Sequence, residues 1–372
     1  MDKEKKIFVF ADFQPYHEEI IGTIYVSQTR GKEFYSFEYD QKWLEKGNMI
    51  LDPDLQMYKG RQYIHDDKKI FGVFADSCPD RWGQRLMKRR EELRAKNAGE
   101  KPRKLLDSDY LLGVYDEARM GGLRFKTELE GEFLSNDREF ATPPWTSLRE
   151  LEQASIAFEN DEKGLSGAWE MVVHELAVMC GLNVPEAKAE KFSRLGTTFL
   201  VKRFDRIESR RIHFSSAMTM LGKKDGANAA DGSSYLEIVS FLKANGATPK
   251  KDIQELWKRI VFSMAVSNTD DHFRNHGFIL EEKGWVLSPM YDVNPDIYGE
   301  FLSLNVDEDN SAIDFDLAIE AAPYYEISTE QAKKNVTAIR KTVADNWRSL
   351  AGKYGISRGE IERMCPAFQG DV

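Results

Sequence analysis

From residue 6 to residue 75 the chain alternates short apolar stretches with polar turns. Ile7-Phe8-Val9-Phe10, Ile20-Ile21-Gly22-Thr23-Ile24-Tyr25-Val26 and Phe34-Tyr35-Ser36-Phe37-Glu38-Tyr39 are rich in β-branched and aromatic residues, which predicts strands. The period lengthens at Pro79-Asp80-Arg81-Trp82-Gly83, which opens a helix running into Arg94. Lys96 to Lys104 is charged and contains Pro102, so it reads as a connector. Leu111 to Phe125 reads as a helix-to-loop passage in which Gly121-Gly122 permits a tight turn. Pro143-Pro144 ends that region, and Ser147 caps a predicted helix through Glu159.

From Trp169 onward the spacing is helical. Trp169, Val172, Val173, Leu176 and Cys180 fall on one face. Two strands are expected at Ala189–Phe192 and Thr197–Val201, followed by Lys202-Arg203-Phe204-Asp205-Arg206. Helices are expected at 233–245, 252–267, 313–323, 329–354 and 358–364, interrupted by a strand pair at Phe278–Leu280 and Trp285–Leu287. The order predicts an α+β protein: a β-rich N-terminal unit, a mixed middle and a helical C-terminal lobe.

Composition narrows the function classes. Of 372 residues, 41% are hydrophobic and 12% aromatic, which argues against general disorder and for two or three subdomains. The formal net charge of -10 argues against a duplex-DNA binder over the whole chain, because phosphate neutralisation needs a basic surface. Cys78, Cys180 and Cys365 are far apart and form no CxxC or Cys/His cluster, so no zinc site or disulfide framework is expected. The N-terminal MDKEKKIFVFADF has no apolar core of signal-peptide length, and no apolar run approaches membrane-spanning length. A cytoplasmic protein with no membrane partner is expected.

The chemistry concentrates in Asp270-Asp271-His272-Phe273-Arg274-Asn275 and in Asp292, which follows a short apolar hairpin. A carboxylate, a carboxamide five residues on and a second carboxylate past two strands suit phosphoryl transfer. Mg²⁺ takes one or two carboxylates and completes its shell with phosphate and water. Asn275 and Asp292 supply an amide oxygen and a carboxylate, which leaves Asp270 to orient an attacking hydroxyl. His272 is a candidate ligand or general base, or a loop histidine that bonds a neighbouring carbonyl. Arg203 and Arg274 are candidates for phosphate binding or for pairing with nearby acids.

With these blocks the chain resembles the HipA family of bacterial serine/threonine kinases, the toxins of some type II toxin–antitoxin pairs. The resemblance rests on FADSCPDRWGQRL (74–86), GAWEMVVHELA (167–177), FLVKRFDR (199–206), HFSSAMTMLG (213–222), SNTDDHFRNHGFIL (267–280) and SPMYDVNP (288–295), in that order. It implies a protein-kinase-like two-lobed fold. Residues 1–145 would form the N-terminal subdomain, 146–206 a region like a kinase N-lobe, and 207–372 the helical C-lobe. It also implies Asp270 as catalytic base, with Asn275 and Asp292 as Mg²⁺ ligands and ATP as phosphate donor. Lys202 and Phe204 would border the adenine, and Glu170 would stand where a kinase glutamate pairs the phosphate-binding lysine. The implied partners are a protein substrate of the translation machinery, of the aminoacyl-tRNA synthetase class, and a HipB-like helix-turn-helix antitoxin that carries operator DNA.

One expected part is missing from the sequence. Between Glu159 and Trp169 the connector Asn160-Asp161-Glu162-Lys163-Gly164-Leu165-Ser166 is too short for a Gly-rich phosphate loop plus two strands, since a strand alone takes about five residues. Three explanations are open: a segment lost from the chain as written, a true deletion that makes a pseudokinase, or replacement of the lysine by Lys163, Lys191 or Lys202. The first is favoured, because a protein without ATP would have no chemical need for Asp270, Asn275 and Asp292 together. A small-molecule phosphotransferase would share the same acidic logic. Finally, Arg81, Arg85, Lys88, Arg89, Arg90, Arg94 and Lys96 make a basic helix, extended by Lys101, Arg103 and Lys104, which reads first as a solvated face.

Overall fold

A computed structural model describes residues 4–47, 49–64, 68–134, 166–191 and 196–368. The expected break at Pro143-Pro144, the helix after Ser147 and the connector at 160–165 lie outside these residues, as does Phe192. The described residues divide into two compact units. One comprises 4–134 with Asp205–Ser215, and the other 166–204 with 216–368. The first unit thus takes in Asp205–Ser215, whereas the sequence suggested breaks after 145 and 206. Helices and sheets are mixed and the sheets are open, an α+β architecture as expected.

In the first unit the three predicted strands are β1 (Lys5–Ala11), β2 (Glu19–Thr29) and β3 (Lys32–Tyr39), each a few residues longer than its apolar run. They pair antiparallel in an open five-stranded sheet, with β4 (Gln62–Tyr63) beside β3 and β5 (Leu123–Lys126) beside β1. Short helices α1 (Gln41–Lys46) and α2 (Gly72–Ala75) connect these strands. Helix α3 (Arg81–Ala98) starts where Asp80 accepts a hydrogen bond from Gly83 N at 2.7 Å, and it stops at Gly99 in the left-handed region. It therefore runs past the predicted end into the charged connector. On the predicted basic face, Arg94 pairs with Glu91 and Glu100, and Arg103 pairs with Asp109, so both cations are neutralised within the unit.

After α4 (Asp107–Gly113) the chain enters β5 through Gly121, whose φ of 74° explains the glycine. The unit closes on a buried guanidinium. Arg119 is 0% exposed and donates to the carbonyls of Ser77, Leu111, Val114 and Leu134 at 2.7–3.2 Å. Burial pulls its pKa down to about 10, and its plane lies over Phe125.

The second unit opens with α5 (Ser166–Met179), whose predicted face holds: Trp169, Val172, Val173 and Leu176 are buried, and Cys180 packs against them. A hairpin of β6 (Ala187–Glu190) and β7 (Thr198–Val201) follows. The chain then passes through the first unit, with β8 (Arg206–Ile207) pairing β9 (Arg210–Arg211). It returns along β10 (Phe214–Ser216) into α6 (Ala217–Met220). The predicted helices appear as α7 (Tyr235–Asn245), α8 (Pro249–Ala265), α9 (Phe315–Ala321), α10 (Thr329–Lys353) and α11 (Arg358–Met364).

Helix α8 is nearly engulfed, because α5, α7, α9 and α10 share one core with it. Its Trp257 indole donates to Ala318 O at 2.8 Å, and on α10 Trp347 stacks against Phe368 at 4.4 Å. That packing gives the loop after α8 a rigid base. Strands β11 (Gly277–Glu281) and β12 (Gly284–Leu287) form the predicted hairpin, with Phe278 opposite Leu287 and Leu280 opposite Trp285.

Candidate active site

The loop begins where α8 is forced to stop. Ser267 N points to Met264 O and Asn268 N donates to Ser263 O at 2.8 Å, a paired closure that requires a left-handed residue between helix and loop. Ser267 takes that place at φ 49°, a conformation usually left to glycine. The turn delivers Asn268, Thr269 and Asp270 outward from the end of a buried helix.

At Asp270 the two adjacent carboxylates part company. The Asp270 side chain is 87% exposed, while Asp271 turns inward and is buried. Asp271 accepts from Tyr235 Oη at 2.7 Å, and His276 Nε2 stands 2.9 Å from its other oxygen, off the line of an ideal hydrogen bond. Burial alone would raise the Asp271 pKa. The His276 and Tyr235 contacts outweigh it and hold the carboxyl below the usual range. Sequence reasoning singled out the run Asp270-Asp271-His272 but gave Asp271 no role of its own.

Asn275 closes the loop. Its Nδ2 donates to Asp270 O at 3.0 Å and reaches Asp292 O at 3.4 Å, so one amide ties the loop to the segment after the hairpin. The Asn275 Oδ1 makes no hydrogen bond among the described residues. A second tie runs from Asn294 N to Asn268 Oδ1 at 3.3 Å, and a third from Tyr291 Oη to Arg274 O at 2.7 Å. Asp292 is exposed and sits at φ 56°, another non-glycine residue held in the left-handed region.

Beside Asp292 opens a small cleft walled by Val173, Val184, Val201 and Met290. Glu170 projects into it from α5. Burial and the facing Asp292 carboxylate push the Glu170 pKa up to about 8. Among the described residues Glu170 has no cationic partner; its charged neighbour is Asp292.

The other expected residues fall as follows. His272 lies with Nε2 3.9 Å from Asp270 Oδ1, too far for a hydrogen bond, while its backbone N donates to Asp270 O at 3.0 Å. The main chain of His272, and not its ring, therefore steadies the loop. Lys202 is exposed, pairs with Glu186 at 3.0 Å, and is not among the residues lining the cleft. Phe204 packs face to face on Tyr291 at 5.7 Å, and Tyr291 in turn lines the cleft. Arg274 reaches Asp225 at 3.4 Å. The structure thus brings Asp270, Asn275, Asp292 and Glu170 to one locality and leaves Lys202 outside it. The apolar walls gave no distinct sequence signal, since valines on a helix and a strand read first as core.

The donor set can be tested against a divalent cation. The described residues contain no group of three or more His, Cys, Asp or Glu side chains arranged for metal binding. Asn275 Oδ1 and the Asp292 carboxylate are hard oxygen donors, which fits Mg²⁺ as a cation that keeps substrate and water ligands. No helix among the described residues is long and apolar enough to cross a membrane.

Comparison with known proteins bears on the family of the chain. The family model for the HipA-like C-terminal domain matches residues 120–347, and that for the HipA N-terminal domain matches residues 16–102. A putative kinase of Sinorhizobium fredii, Y4mE, is 30% identical over 205 residues, which is 52% of this chain and 42% of that protein. A second from the same organism, Y4dM, is 25% identical over 183 residues, 40% of this chain and 44% of its own. The matched region thus spans less than half the length of these relatives. Among solved structures, the HipA of Shewanella oneidensis MR-1, in a complex with HipB and operator DNA, superposes with a TM-score of 0.66. That match covers 99% of this chain and 95% of the other at 14% identity, a likeness of fold. The matched C-terminal domain alone takes in more than half of the sequence, and the chain belongs to the HipA family.

Proposed function

We propose that this protein is a serine/threonine protein kinase that transfers the γ-phosphate of ATP to a protein hydroxyl. The observation that carries the reading is the Asn275 amide, which draws the backbones of Asp270 and Asp292 together beside the cleft. Membership of the HipA family and the names of the curated relatives support it.

In this reading the exposed Asp270 carboxylate accepts the proton of the incoming hydroxyl and aims its oxygen at the phosphate. Asn275 and Asp292 would hold Mg²⁺. When bound, the ion supplies neutralisation of charge on the phosphates. The valine and methionine walls suit the flat apolar faces of adenine. Tyr291, with Phe204 behind it, would border the base. Glu170, protonated beside Asp292, would ionise once a cation comes near.

We further propose the regulatory setting that the family implies. The protein would act as a toxin on the translation machinery, with an aminoacyl-tRNA synthetase as the class of target, and be neutralised by a HipB-like helix-turn-helix antitoxin that carries operator DNA. The complex named for the Shewanella relative supports the partner class.

Calorimetric titration of the full chain with Mg·ATP tests the site. Binding that weakens at least about tenfold in Asp292→Asn is expected, since a metal-bound carboxylate is replaced by a neutral amide. No binding by the wild type would favour a pseudokinase that keeps only the antitoxin-binding role.

A further inference from the structure

We propose that Asp271 is a positioning residue: its buried carboxylate, gripped by Tyr235 and His276, fixes the backbone from which Asp270 projects. The inference rests on the kinase reading for its catalytic consequence, but its structural part stands apart from that reading.

Three separate segments converge on this one side chain. Tyr235 is the first residue of α7, fully buried, and its own N–H is tied to Asn305 O at 3.0 Å. His276 ends the loop and is 2% exposed, and its carbonyl accepts from Ala217 N at 2.8 Å. Ser263, in the last turn of α8, approaches the Asp271 oxygen nearest Tyr235 at 3.4 Å. The Tyr235 hydroxyl also lies 3.4 Å from Asp271 O, so it touches the main chain as well as the side chain.

The geometry matters because Asp270 itself is nearly free of side-chain restraint. Its carboxylate is 87% exposed and makes no hydrogen bond among the described residues, His272 Nε2 standing 3.9 Å away. Only its backbone is held, through the Asp270 carbonyl, which accepts from His272 N and from Asn275 Nδ2. The direction of that carbonyl follows the peptide shared with Asp271. A buried carboxylate cannot rotate away from its donors without paying desolvation, so Asp271 locks that peptide and with it the origin of the Asp270 side chain. A reacting group displaced by about 1 Å can lose on the order of 100-fold in rate, so such a lock has catalytic weight.

The test uses the full chain with Asp271→Asn and Tyr235→Phe. Val343→Ala, a cavity variant in the core of α10, serves as a control for lost stability. Amide hydrogen exchange at His272 and Asn275 is read first. Both amides should exchange at least about tenfold faster in the two loop variants and stay unchanged in Val343→Ala, the signature of a local opening. Phosphate transfer from labelled ATP to a serine/threonine peptide library is read second. For Asp271→Asn the kcat should fall about tenfold or more while the Kd for Mg·ATP stays within about twofold, with a smaller fall of kcat in Tyr235→Phe. Unchanged exchange in both variants would overturn the inference whether or not the protein is a kinase. A kcat loss matched by Val343→Ala would reduce Asp271 to a stabilising role. Faster exchange with no transfer by the wild type would uphold the lock and overturn the kinase reading alone.

Discussion

Asn275 and Asp270 are joined side chain to main chain: Nδ2 of Asn275 donates to the carbonyl of Asp270 at 3.0 Å. The residue expected to bind metal is therefore also a strut of the loop carrying the expected base. Its amide has two ends: Nδ2 holds the fold, and Oδ1 is the end proposed to meet the ion. Asn275→Asp keeps an oxygen ligand but loses the donor, and Asn275→Ala loses both. We expect phosphate transfer to fall by at least about 100-fold in Asn275→Ala and the loop to lose about 1 kcal/mol of local stability in both variants. Steady-state kinetics with a Mg²⁺ titration checks this, because Asn275→Asp should recover part of its rate at high Mg²⁺.

Glu170 makes stability depend on pH. Burial and the Asp292 charge raise its pKa from 4.5 to about 8, so the native state holds this proton longer than the unfolded chain does. The contribution is fully present below about pH 4.5 and is lost as pH rises to about 8. Thermal unfolding from pH 5 to 8 should show wild-type Tm falling relative to Glu170→Gln, which cannot ionise. Parallel curves for the two proteins would refute the assignment.

Arg119 holds four carbonyls of the first unit with a charge that water never reaches. Arg119→Met keeps much of the volume over Phe125 and leaves those acceptors without their donor. We expect a loss of about 3–5 kcal/mol, measured by denaturant unfolding of the full chain.

Ser267 should respond in the opposite sense. It occupies the left-handed position that ends α8, and its buried hydroxyl has no hydrogen-bond partner among the described residues. Ser267→Gly removes the strain and the unsatisfied group together. A gain of about 1 kcal/mol in unfolding free energy is expected, provided the turn keeps its shape.

What could be read from the sequence follows from what each residue needs. Strands β1 to β3, helix α5 and the hairpin β11–β12 announce themselves because their apolar spacing is set by a single core-facing side. The loop Asp270 to Asn275 could be singled out because its residue types stand at a fixed spacing along the chain. Contacts made by the fold could not. Nothing in the sequence places Tyr235 on Asp271, 36 residues away, or four carbonyls around Arg119. The resemblance implied Lys202 beside the adenine; its side chain pairs with Glu186 in solvent. The end of α3 ran past Arg94 because Gly99, and not the charge run, is what stops it.

The central claim is phosphoryl transfer with Asp270 as base, and the most direct measurement compares wild type with Asp270→Asn. Purified full-length protein would be incubated with Mg²⁺, γ-labelled ATP and a serine/threonine peptide library, and incorporation followed over time. The account predicts label on serine or threonine with wild type and a rate lower by at least about 100-fold in Asp270→Asn, with the Tm unchanged because that carboxylate stands in solvent. Equal incorporation by the two proteins would contradict it.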